Sequence, residues 1–139
     1  MKVLGKKVVS SDGSMLGRVK DMMLLDNGNA VYIIAEGRKK HYALLPPDIR
    51  SIGEVIVADN TYKVNLKSQL EKALFVFSKS EKYEVIGKSG YHLGHLRGFE
   101  IDDDELYPKI ILKNKSGEMA IPCDMISGEK DHKIIINSE

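Results

Sequence analysis

Four groups of residues have types that could do chemistry: His92 with His95, the acidic run Asp102, Asp103, Asp104 and Glu105, the single Cys123, and the basic cluster Arg38, Lys39 and Lys40. Imidazoles and carboxylates ligate divalent metals, a thiolate is a nucleophile, and lysine and arginine hold phosphate. Spacing argues against each. "GYHLGHLRG" (90 to 98) has the pattern of a turn entering a strand, where positions three apart face opposite sides, so the two histidines do not read as a ligand pair. The acidic run lacks the spaced D-x-D-x-D-G of a calcium loop and reads as a solvated turn able to contact a basic partner. No histidine is legibly paired with Cys123, which favours a structural role. The sequence contains no G-x-S-x-G, Walker or G-x-G-x-x-G motif. The expectation is a non-enzyme without metal or cofactor.

The basic cluster falls at a predicted hairpin tip and is followed by Tyr42. An RNA-binding surface needs a broad positive face with exposed aromatics, because phosphate contacts supply affinity and stacking holds the bases. One patch with six Tyr and three Phe assigned mostly to core positions reads as a solvated turn. Nucleic acid is therefore the lesser alternative, with Arg38, Lys39 and Lys40 as its candidate residues.

The elements that must position these residues are written twice. "DGSMLG" (12 to 17) returns as "SGYHLG" (89 to 94), and the same 77-residue shift lays Val8 on Val85, Gly17 on Gly94 and Ile33 on Ile110. With a small deletion, Pro46 matches Pro122, Asp48 matches Asp124 and Gly53 matches Gly128. Such self-similarity reads as a duplication: residues 1–60, a connector over 61–82, and residues 83–139. Each unit alternates short runs rich in β-branched and aromatic residues with turn formers. Asn27-Gly28 between two apolar runs predicts a hairpin, and Pro46-Pro47 ends a strand because proline cannot donate to a ladder. The fold class expected is all-β with one connecting helix: two small antiparallel barrels in tandem.

Units of about 60 residues bury only about 60% of their unfolded surface, so each gains by packing against its twin or another chain. Net charge is +1 overall, yet residues 1–60 carry nine Lys/Arg against seven Asp/Glu, residues 61–82 five against two, and residues 83–139 seven against eleven. A basic front and an acidic back favour head-to-tail contact. The single cysteine excludes an internal disulfide framework, and the absence of a long apolar run or signal pattern leads to the expectation of a soluble, cytoplasmic protein without direct membrane insertion.

In the connector, Leu66, Leu70, Ala73, Leu74 and Phe77 fall on one helical face behind Asn65, a good N-cap, which predicts a helix; "ALFVF" is also compatible with a strand. Phe75 and Val76 lie off the stripe. Leu74, Phe75, Val76 and Phe77 therefore form the candidate partner-binding surface, together with Asp102, Asp103, Asp104 and Glu105 and any exposed sheet edge.

"GSMLGRVKD" (13 to 21) with "LLPPDI" (44 to 49), and "GYHLGHLRG" (90 to 98) with "AIPCDMI" (120 to 126), resemble the PRC-barrel, a domain named for the photosynthetic reaction-centre H subunit and found at the C-terminus of the ribosome maturation factor RimM. The second copy departs from the pattern, with Gly98 where the first has Asp21. The resemblance implies a non-catalytic adaptor whose partners are proteins, in a homo- or hetero-oligomer. A tandem without a further RNA-binding domain is similar to the stand-alone archaeal barrels that associate with the SepF and FtsZ division machinery. A SepF-like protein or another PRC-barrel is then the implied partner, recruitment to the division site the implied setting, and a RimM-like role the alternative.

Overall fold

The computed structural model describes residues 2–27, 29–101 and 107–137. The front unit runs β1 (Lys7–Ser10), β2 (Met15–Leu25), β3 (Ala30–Glu36), β4 (Lys40–Leu44), a 3₁₀ turn at Pro46–Asp48, β5 (Ile49–Ile52) and β6 (Val55–Ala58). A connector follows with β7 (Tyr62–Lys63), α1 (Leu66–Glu71), β8 (Ala73–Val76) and α2 (Phe77–Ser80). The rear unit repeats the plan with β9 (Glu84–Gly87), β10 (His92–Ile101), β11 (Pro108–Asn114), β12 (Gly117–Pro122), a 3₁₀ turn at Cys123–Met125, β13 (Ile126–Lys130) and β14 (Lys133–Ile136).

Strand order is β5-β6-β1-β2-β3-β4 in the front and β13-β14-β9-β10-β11-β12 in the rear, the same order in each. All neighbours are antiparallel except β1 with β6 and β9 with β14, so the expected all-β tandem holds with one parallel pair per unit. The irregularities repeat as well. An extra, unpaired residue bulges out at Leu16, Lys20 and Arg50 in the front, and at Leu93, Arg97 and Ser127 in the rear, each pair 77 residues apart. A bulge bends its strand and increases twist, so three per unit curl a short sheet toward a barrel. Gly17 and Gly94 sit at one such bend. A Cβ would meet the Ala35 carbonyl oxygen at 2.4 Å in the front and that of Lys113 at 2.8 Å in the rear, so only glycine fits.

The correspondence runs back past the first strands. Gly5 N–H donates to Val19 and Val19 N–H to Lys6; Lys82 N–H donates to Leu96 and Leu96 N–H to Tyr83. Each lead-in then reaches the other unit's second strand: Val76 pairs with Met23, and Lys2 bridges to Glu100. Such reciprocity is the isologous arrangement of a two-fold dimer, here built within one chain. One apolar core serves both units, and at its junction Phe99 of the rear lies 4.9 Å edge-on to Phe77 of the connector and 6.0 Å from Tyr32 of the front.

The connector corrects the expectation of a continuous helix. Asn65 does cap α1, accepting from Ser68 N–H at 3.1 Å, but the helix stops after Glu71. Residues 73–76 instead form a strand on the outer half of β2, beyond the reach of β1. That half of β2 offers unpaired backbone groups on this side, which a strand satisfies and a helix cannot. Leu66, Leu70 and Ala73 then cover the outer sheet face of Met23, Val31, Ile33 and Ala43.

Candidate functional site

Where the units meet, two short turns and two strand starts enclose a cleft of about 350 Å³. Ala30, Pro46 and Pro47 line it from the front; Pro108, Cys123 and Asp124 line it from the rear. These are equivalent positions. The ladders pair Tyr32 with Leu44 and Ile110 with Ile121, and the two 3₁₀ turns begin at Pro46 and Cys123, so the cleft lies on the pseudo-two-fold. Cys123 therefore occupies the place of Pro46, and the sequence match of Pro46 to Pro122 is displaced by one residue. The walls are mostly apolar, with Asn29 and the carboxylates of Asp48 and Asp124 as polar exceptions, and the Tyr107 hydroxyl donates to Asp124. Such a site can hold an apolar group beside negative charge. Neither unit alone has it, so no motif within one half encodes it; the recurrence of a Pro-x-Asp turn was the available signal.

Cys123 cannot serve there as a nucleophile. Burial, with Asp124 alongside, pushes its thiol up to about 12, so it stays protonated. Tyr32 is buried on the front side of the same junction, and its hydroxyl, without a partner among the described residues, is likewise pushed upward by burial.

The candidate partner surface is largely inside the molecule. Phe75, Val76 and Phe77 are buried; Leu74 alone faces outward, 38% exposed. Their surplus apolar area packs against the chain's own β2 and core, which corrects the idea that it is offered to a partner. Asp102, Asp103, Asp104 and Glu105 lie outside the described residues. Arg38 and Lys39 are exposed in the turn joining β3 to β4, and Lys40, exposed at the start of β4, lies 3.6 Å from Glu36.

The histidines depart from the alternation rule. The bulge at Leu93 resets the side-chain phase, so His92 and His95 share a face with ring centroids 5.3 Å apart. Glu84 contacts His92 Nδ1 at 2.5 Å. Among the described residues, no group of three or more His, Cys, Asp or Glu is placed to hold a metal. No helix among them is long and apolar enough to cross a membrane.

The PRC-barrel domain family matches residues 2–66. The ribosome maturation factor RimM of Bacillus licheniformis is 35% identical over 68 residues, which is 49% of this chain and 38% of that protein, so the chain spans well under half the length of this relative. A crystal structure of a 16S ribosomal RNA processing protein RimM from Pseudomonas aeruginosa aligns over 99% of this chain and 96% of its own, at 12% identity and a TM-score of 0.37. The front unit is thus similar to the PRC-barrel domain, and the rear unit repeats the strand order and bulges of the front.

Proposed function

We propose that this chain is a non-catalytic binding protein of the cytoplasm that holds macromolecules together during ribosome maturation. The observation that carries this reading is the 35% identity, over 68 residues, to a ribosome maturation factor. The cleft on the pseudo-two-fold fits the role, because an apolar hollow rimmed by Asp48 and Asp124 suits an apolar side chain flanked by basic residues on a protein partner. The division-apparatus reading, with a SepF-like partner, is the competitor. Sucrose-gradient sedimentation of a tagged chain in its native lysate separates the two. Co-migration with ribosomal subunits or their precursors at low salt is the expected result. A chain that stays at the top of the gradient and is crosslinked to division proteins would overturn it.

A further inference from the structure

The front unit's basic turn is matched by a better-built cationic surface in the rear. An open groove of about 540 Å³ runs between the start of β10 and the β11–β12 hairpin, lined by His92, His95, Lys113, Lys115 and Ser116, with no acidic residue among its described walls. This stands in the acidic part of the chain, where residues 83–139 carry seven Lys/Arg against eleven Asp/Glu. His95 and Lys113 are direct cross-strand partners, so their side chains leave the sheet on one side. The Leu93 bulge adds His92 to that side.

Two carboxylates flank the groove: Glu84 is the cross-strand partner of His95 on β9, and Glu118 that of Lys113 on β12. Glu84 contacts His92 Nδ1 from the β9 side and lies 3.9 Å from Lys133; Glu118, opposite Lys113 on β12, lies 3.8 Å from Lys2. Tyr91, immediately before His92, is 62% exposed, the largest exposure among the large apolar and aromatic side chains of the described residues. Lysines along an open groove, with an exposed aromatic adjoining its His92 in sequence, are elements of single-strand recognition: charge tracks the phosphates and a ring receives a base. The front counterparts of His92, His95 and Lys113 are Met15, Arg18 and Ala35, so the lining of the groove is not repeated in the front unit.

We infer that this groove binds single-stranded RNA, with Lys113, Lys115 and His95 on the phosphodiester backbone and Tyr91 stacking a base. Its biological sense rests on the ribosome-maturation reading, but its test does not. Fluorescence anisotropy of a labelled decauridylate, titrated with the full chain at about 50 mM salt, should saturate. Lys113→Ser with Lys115→Ser should weaken binding at least about tenfold and lower the slope of log affinity against log salt by about 1.4, since each single-strand phosphate contact contributes about 0.7. Lys113→Arg with Lys115→Arg should retain binding, which excludes misfolding as the cause. Tyr91→Ala should cost about fivefold or more. Four results would overturn the inference: no saturable binding, a serine double variant that binds like the parent, loss on changing Arg38, Lys39 and Lys40 to Ser in place of the rear lysines, or equal binding of a phosphoserine peptide independent of Tyr91. If the serine double variant still co-migrates with ribosomal particles, the groove has failed as the ribosomal contact while the broader reading stands.

Discussion

Front and rear units share strand order, bulges and lead-in hydrogen bonds, yet their outer sheet faces have opposite character. In the front, Met23 pairs with Val31 across β2 and β3, and both are buried under α1 and β8. In the rear, the equivalent pair is Glu100 with Lys109, both partly exposed. An apolar pair suits a face covered by protein, and an opposite-charge pair suits one that meets water. Only one connector exists, so only one unit has residues to receive it. The same logic explains the departure of Gly98 from Asp21. Asp21 is buried and accepts from Met22 N–H at 2.8 Å, Ser78 N–H at 3.0 Å and the Ser78 hydroxyl at 2.5 Å, fastening α2 to the β2 bulge. At the rear bulge Gly98 has no side chain with which to fasten a helix.

At neutral pH, removing that fastening should have the largest effect. Asp21→Ala leaves two N–H groups in or near the core without an acceptor, a loss of about 1–3 kcal/mol that urea unfolding would report. Gly98→Asp should bring no gain, because nothing in the rear donates to it. Equal loss from Asp21→Ala and Asp21→Asn would mean that hydrogen bonding is not what the carboxylate supplies there, since the amide oxygen can accept one of these bonds.

The repeat, the hairpin at 25–30, the strand stop at Pro46 and the all-β class were legible because they depend on local pattern: apolar alternation, turn residues and proline. What was not legible depends on neighbours distant in the chain. Residues 73–76 have both the helical period and strand propensity, and the open ladder of β2, some 50 residues earlier in sequence, decides between them. The face of His95 relative to His92 turns on a single bulged residue, which alternation alone cannot register. The junction cleft has walls from both halves, so no single motif encodes it.

A second contrast lies in the turns that line that cleft. Pro46 in the front has no titrating group, whereas Cys123 in the rear has a thiol whose value rises from 9.0 to about 12 on burial. Between those values the unfolded chain has lost the thiol proton while the folded chain keeps it, so raising the pH favours unfolding. Stability is fully retained below pH 9 and should fall toward pH 12 by about 1.4 kcal/mol per unit from this group. Cys123→Ala should flatten that alkaline limb relative to the parent chain when unfolding is followed across the window. Parallel limbs in the two proteins would mean that the thiol titrates as freely in the folded state as in the unfolded one.

The smallest contrast is at the entry to each barrel. Gly5 has φ 84° and Lys82, its counterpart in the repeated hydrogen bonds, has φ 68°. A side chain in this left-handed region costs about 1–2 kcal/mol, and glycine returns part of the relief through the greater freedom of its unfolded chain, about 0.5–1 kcal/mol. Lys82→Gly should therefore stabilise by about 0.5–1 kcal/mol and Gly5→Lys should destabilise by a similar amount, both read from urea midpoints at unchanged slope. If Lys82→Gly instead weakened the protein, the lysine side chain would be contributing a contact that outweighs its backbone strain. The rear entry would then be held by different forces from the front, even though the hydrogen bonds of the two are the same.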